Sequence, residues 1–188
     1  MLMFVDAKCD IKNEGDTMYV NTEAAVSTPV LAAGFKSAMS RLASSVTIIT
    51  TVDSDDCPHG LAATAFSSVS MDPASVLICV NRSASASPII RKAGIFCVNL
   101  LQSEHEQISA IFSRSDMRQQ RFVEGDWKTG IRGIRYLADA QAAIFCEVAQ
   151  EIEHGTHTII IGNVMDVILP EVKEPLVYAG GRYRRLHS

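Results

Sequence analysis

Three short segments hold the residues whose types and spacing suit chemistry. The first is Gly60-Leu61-Ala62-Ala63-Thr64-Ala65-Phe66-Ser67-Ser68-Val69-Ser70, with few bulky side chains and several hydroxyls. A strand so sparsely decorated lets a flat ring approach bare backbone, whose N–H and C=O groups satisfy the ring's polar edge. The hydroxyls nearby suit phosphate or polyol oxygens. The same composition also fits a barrel edge packed under another strand, with its serines solvated. The second segment is Asn81-Arg82-Ser83-Ala84-Ser85-Ala86-Ser87-Pro88. Free N–H groups at a helix start, the helix dipole and Arg82 together make an anion site; ordinary capping in a polar loop is the plainer alternative. The third is His154-Gly155-Thr156-His157. A histidine opening a strand beside a glycine turn reaches into a cleft, where it orients a carboxamide or stabilises charge near a transferred hydride. A surface hairpin explains the same residues.

Other signatures are missing from the chain. There is no G-x-G-x-x-G, no phosphate loop, no H-E-x-x-H and no G-x-S-x-G. The five histidines are scattered, and His154 with His157 is a weak metal spacing with no carboxylate or thiol pattern beside it. No metal site is expected.

The elements that position these segments follow from periodicity. Leu31, Phe35, Ala38, Met39 and Leu42 have amphipathic helical spacing. The β-branched run from Ser45 to Val52 predicts a strand, and Asp53–Pro58 a turn into a returning strand from Gly60 to about Met71, ended by Asp72-Pro73. Val76–Val80 and Ile95–Leu100 are further strands. Between them Ser87 is expected to cap a short helix that Gly94 ends. Ser103-Glu104-His105-Glu106 has the capping-box pattern before Ile108, Ile111 and Phe112. Ser113 to Gly133 is expected to be a long surface loop anchored by Trp127. Two long strands, about Ala142–Ile152 and His157–Leu169, and a last short strand from Pro175 to Tyr183 complete the set. Many strands at short spacing with few helices predict a mainly β fold, an antiparallel Greek-key barrel; nothing alternates as a doubly wound sheet requires.

With 188 residues the chain fits one domain, residues 31–188, preceded by an N-terminal arm, residues 1–30, that lacks a clear period. A net charge of -4 and the absence of a basic run argue against nucleic-acid binding. No stretch approaches the ~20 apolar residues of a membrane span, and the charged N-terminus does not read as a signal peptide. The five cysteines are odd in number with no C-x-x-C pair, and Cys79, Cys97 and Cys146 sit in apolar runs. They read as thiols of a reducing compartment, which points to the cytoplasm.

In this order and spacing the segments resemble the short-chain flavin reductases, the reductase partners of two-component flavin monooxygenases. The likeness runs from about Phe35 to Leu186. It rests on Phe35-Lys36-Ser37-Ala38-Met39 and Ser44–Thr51, on His59-Gly60 through Ser67-Ser68-Val69-Ser70-Met71-Asp72-Pro73, and on Phe96–Leu101. Arg121-Phe122, Gly155-Thr156-His157-Thr158-Ile159, Pro175–Tyr178 and Gly181-Arg182-Tyr183 complete it. The resemblance implies a homodimeric split β-barrel with a few flanking helices, binding FMN or FAD. By it, Ala62, Ala63, Thr64, Ala65 and Phe66 line the isoalloxazine ring, and Ser67 and Ser68 bond ribitol or phosphate. Asn81, Ser83 and Ser85 hold the phosphate end, while Phe112 and Ser113 approach the flavin. His157, the catalytic residue, falls with Gly155, Thr156, Tyr178, Gly181 and Tyr183 where NADH or NADPH is admitted. Departures are Gly155-Thr156-His157 for a usual Gly-Asp-His, Ala62 for threonine, Ser45 for glycine and Gln120 for an acidic residue.

The expected activity is hydride transfer from NAD(P)H to flavin, with reduced flavin passing to a separate oxygenase, or to another acceptor such as a corrin cobalt or ferric iron. A flavin-binding module without turnover and a pyridoxamine-phosphate-oxidase-like enzyme are the competing readings. The latter needs basic phosphate ligands, for which only Arg82 offers itself in the sequence.

Overall fold

The computed structural model describes residues 28–171 and 173–186. The expected N-terminal arm therefore lies outside the described residues up to residue 27, and helix α1 (Thr28–Ser40) begins before its predicted end. After α1 come β1 (Ser44–Ser45), β2 (Thr47–Val52), β3 (Pro58–Ala63), β4 (Phe66–Met71), β5 (Ala74–Asn81), α2 (Ser87–Ala93) and β6 (Ile95–Leu100). Then follow α3 (Glu106–Ser113), β7 (Trp127–Thr129), β8 (Arg135–Leu137), β9 (Ala142–His154), β10 (His157–Ile168), β11 (Val177–Ala179) and β12 (Arg182–Arg184).

Seven strands form one antiparallel sheet in the order β3-β2-β6-β9-β10-β5-β4. Its two edge strands, β3 and β4, are consecutive in the chain and separated only by Thr64 and Ala65. The chain thus steps from pairing with β2 on one edge to pairing with β5 on the other, and the sheet curls into a barrel. This corrects the expectation of one continuous strand from Gly60 to Met71. At the step the chain is held by Thr47 Oγ1, which donates to the Ala63 carbonyl at 2.8 Å, and by the Cys79 N–H, which donates to the Ala65 carbonyl at 3.0 Å. The fold is the split barrel.

Alternation sets the two faces. Ile49, Leu61 and Ala63 point into the barrel with Val76, Ile78, Phe96, Val98 and Ile160. Ile48 and Ala62 face the other way, into a second core with Leu101, Ile111, Phe112 and Leu176. The β2–β3 turn is fixed by Asp53, whose Oδ1 accepts the Asp55 and Cys57 N–H groups and whose Oδ2 lies 2.8 Å from His59 Nε2. His59 and then those amides hold the Asp53 carboxyl below its usual range.

Several local expectations are corrected. Ser87 does not cap α2. Ala86 occupies the cap with no side-chain bond, and Ser87 is the buried first helical residue. Gly94 ends the helix at φ 66°, its N–H donating to the Ile90 carbonyl. The reciprocal capping pair ahead of α3 is Gln102 with His105 rather than Ser103 with Glu106, because a 3-10 turn (Ser103–His105) precedes the helix. The predicted loop from Ser113 to Gly133 contains β7, which pairs with β8. The last predicted strand is a hairpin, β11–β12, whose β11 pairs with β1. The β7–β8 and β11–β12 pairings are local, while the β1–β11 pairing joins segments remote in sequence.

Gly162 in β10 lies against the Phe96 ring; a Cβ there would stand 2.5 Å from Phe96 Cζ and 2.9 Å from Cys146 Cβ. Gly162→Ala is expected to destabilise the fold by about 1–3 kcal/mol through overpacking, read as a lowered midpoint in urea unfolding.

Candidate functional site

An open cleft of about 190 Å³ lies between β3, the β5–α2 loop and the end of α3. Its apolar wall is Leu61, Ala62, Ala84 and Phe112; its polar groups are Asn81, Ser83, Ser85, Ser113, Ser115, Arg118 and Arg121. Pockets that enclose a small ligand run to roughly 300–1,000 Å³, so a ligand here lies across the open mouth. The donor set fits a flavin nucleotide: an apolar wall for a ring, and hydroxyls, an amide and guanidinium groups for a polyol and a phosphate.

The wall is built by close packing. Phe112 is buried, packs edge-on to Phe122 at 5.0 Å between ring centroids, and lies 5.4 Å from Trp127. Trp127 does anchor its segment, its Nε1–H donating to the Glu124 carbonyl. Arg121 ties the assembly together. Its guanidinium donates to the carbonyls of Gly60 at 2.7 Å, Phe112 at 3.1 Å and Arg114 at 2.8 Å, and lies 5.6 Å from the Phe112 ring centroid. Burial, with the neighbouring Arg118 charge, pushes the Arg121 pKa down. Its Nε is enclosed without a partner.

Six of the expected flavin residues line this one cleft: Ala62, Asn81, Ser83, Ser85, Phe112 and Ser113. Ala63 does not; its methyl group is buried in the barrel core. Thr64, Ala65 and Phe66 are half-buried, and Ser67 and Ser68 are exposed on β4. Among the described residues, the amides of Thr64 and Ala65 reach no protein acceptor. Asn81 Oδ1 accepts from the Ser83 N–H at 2.9 Å and the Ser83 hydroxyl at 2.8 Å, which shapes the loop.

Arg82 departs from its expected place in an anion site. It turns to the β9–β10 hairpin, bonding the Gly155 carbonyl and reaching Glu153 at 3.3 Å. Arg91 extends this chain to Glu151 at 2.5 Å and Glu153 at 3.1 Å. The hairpin tip is thereby fixed beside the cleft, and His157 pairs with Asn81 across the β5–β10 ladder. His157, Gly155 and Thr156 do not themselves line the cleft. Nor do Tyr178, Gly181 and Tyr183. Tyr178 and Tyr183 pack together at 5.5 Å, and the Tyr183 hydroxyl donates to Ser109 Oγ at 2.9 Å. Leu61, Ala84, Ser115, Arg118 and Arg121 line the cleft without an expected role there, although Leu61 and Ala84 lie inside the first two segments. The Arg121-Phe122 dipeptide was the signal available for one of them.

The model of the flavin reductase like domain matches residues 39–187. An "FMN reductase (NADH) RutF" of Pseudomonas syringae is 38% identical over 82% of this chain and 86% of its own length. A Rhizobium protein named "FADH(2)-dependent resorcinol hydroxylase, reductase component" is 35% identical over 79% of this chain and 84% of its own. The NADH:FAD oxidoreductase of Streptomyces globisporus, solved with NAD and FAD fragments, superposes with a TM-score of 0.78 at 29% identity, covering 87% of this chain and 98% of that one. The fold is shared with a solved flavin reductase, and this chain belongs to the flavin reductase-like family.

Burial lowers the His157 pKa from its ordinary 6.5. The neutral ring is therefore the major form at pH 7. As pH falls from 6.5, the unfolded chain takes up the proton before the folded one, so this group destabilises the fold progressively across that window. An NMR pH titration of the His157 ring is expected to give a midpoint below 6.5; a midpoint at or above it contradicts the burial.

Proposed function

We propose that the protein is an NAD(P)H:flavin oxidoreductase that passes hydride from a nicotinamide nucleotide to FMN or FAD, and that its reduced flavin serves a separate oxygenase. The observation that carries this reading is the cleft itself: an apolar wall beside half-exposed backbone at Thr64–Phe66, with hydroxyls of two loops at its rim, in a chain of this family. Bound flavin supplies the hydride acceptor, and the protein's part is alignment and water exclusion. In this reading Ala62 and Phe112 give the ring its apolar contact, and the amides of Thr64 and Ala65 face its polar edge. Ser67 and Ser68 lie along the strand that continues from there, and Asn81, Ser83, Ser85 and Ser113 take the polyol and phosphate oxygens. His157 orients the nicotinamide. Thr156 Oγ1 lies 2.9 Å from its Nδ1; a hydroxyl donating there leaves Nε2 as the N–H, free to donate to a carboxamide oxygen. Gly155 and Thr156 shape that turn. Tyr178, Gly181 and Tyr183 bound the nicotinamide side, with Tyr183 held by Ser109.

The relatives' names support NADH as donor and an oxygenase as recipient. Described cysteines are all free thiols, and no described helix is long and apolar enough to cross a membrane, which supports a cytoplasmic site of action. A homodimer is supported by α1, whose Leu31 and Phe35 are 60% and 62% exposed beside exposed Met39 and Leu42, and by the open mouth of the cleft, which a second copy would cover.

Two experiments test these readings. Purified protein titrated with NADH in the absence of oxygen is expected to bleach the yellow of added FMN. His157→Ala is expected to slow that bleaching by tenfold or more while FMN affinity stays within about twofold. Bleaching at the wild-type rate removes His157 from the reaction. For the assembly, light scattering is expected to give twice the chain mass for wild type and a shift toward monomer for Leu31→Glu with Phe35→Glu; wild-type monomers refute the dimer.

A further inference from the structure

The cleft carries two cations and no acid. None of its lining residues is Asp or Glu, although acidic side chains outnumber basic ones in the chain, 21 to 17. Other arginines nearby on the surface are matched by carboxylates: Arg114 holds Asp116 at 2.6 Å, Arg82 and Arg91 share Glu153, and Arg132 holds Glu147 at 3.0 Å. Arg118 differs. It sits at the start of a 3-10 turn (Arg118–Gln120) between α3 and Arg121, its side chain is exposed at the cleft, and among the described residues it has no carboxylate partner.

The two guanidinium groups are not equivalent. Arg121 has given N–H groups to three carbonyls, and its Nε is enclosed, so it contributes positive potential but no open fork. Arg118 keeps its fork. Like charges set at one cleft without a compensating acid repel each other, and an anion between them and the neighbouring hydroxyls relieves that repulsion. Ser83, Ser85 and Ser115 supply hydroxyl donors on the same lining. The planar fork of arginine matches a phosphate with two parallel N–H bonds, which lysine does not reproduce.

We propose that Arg118 is the phosphate-reading residue of this cleft, its guanidinium taking the phosphate of the bound flavin nucleotide beside Ser83, Ser85 and Ser115. The inference rests on the flavin reading above and adds to it the residue that separates a phosphorylated flavin from a bare one. A dinucleotide pyrophosphate offers the same chemistry, and the test distinguishes the two.

The measurement is fluorescence titration of riboflavin and of FMN into wild type, Arg118→Ala and Arg118→Lys, with the KM for NADH determined alongside. Wild type is expected to prefer FMN over riboflavin, with the preference shrinking as salt is raised. Arg118→Ala is expected to raise the Kd for FMN about tenfold, the size of a lost charge-assisted bond, and to leave riboflavin unchanged; Arg118→Lys recovers part of the loss. A tenfold rise in KM for NADH with FMN affinity intact keeps Arg118 as a phosphate reader and moves its ligand to the dinucleotide. Equal weakening of riboflavin and FMN, or no change in either Kd or in KM, overturns the proposal. Wild-type protein that binds neither flavin overturns the flavin reading itself, and this inference with it.

Discussion

The ring of Phe112 occupies space that a side chain on residue 60 would need. A Cβ on Gly60 would stand 2.8 Å from the Ile49 carbonyl oxygen and 3.0 Å from Phe112 Cε1. Only a bare backbone lets α3 lie this close to β3, and Arg121 then fastens the two by bonding Gly60, Phe112 and Arg114 together. Ala62, Phe112, Ser113 and Arg118 face one cleft because this junction holds. Breaking one partner would leave buried carbonyls unpaired, which costs more than the bond itself contributes.

Barrel closure imposes the second constraint. A sheet whose edge strands are consecutive in the chain must close where one edge becomes the other. Here that point is Thr64–Ala65, between Ala63 under Thr47 Oγ1 and Ala65 under the Cys79 amide. The chain leaves the ladder for two residues there, and among the described residues the Thr64 and Ala65 N–H groups reach no protein acceptor. Small residues serve both purposes: they let the strand turn between partners, and they leave the turn uncovered.

The hairpin tip is positioned by charge rather than by burial. Arg82, Arg91, Glu151 and Glu153 form a half-exposed chain across the β5–α2 loop, α2 and β9. Exposed pairs of this kind add little to stability one at a time. Their effect is geometric, since the Arg82 bond to the Gly155 carbonyl keeps the His157 turn against the Asn81 loop. This also explains why the arginine in the serine-rich segment is not the cation of the cleft.

Much of this was legible in the sequence because it is local. The β-branched run of β2, the long β9–β10 pair around Gly155, and the glycine stop of α2 follow from residue type and spacing over a few positions. So did the small-residue composition of Gly60–Ser70, which marks a strand meant for close approach without saying what approaches. The tertiary structure decided that Phe112 takes the Gly60 face, that Ala63 turns into the barrel while Ala62 turns into the Phe112 core that borders the cleft, and that the strand breaks at Thr64. It also placed Arg118 and Arg121, about 35 residues from the serine loop, on the same lining. Side-chain alternation is a property of a strand, but which face meets which element depends on register and on barrel closure. Those are set by contacts between segments far apart in the chain, and a local pattern carries no record of them.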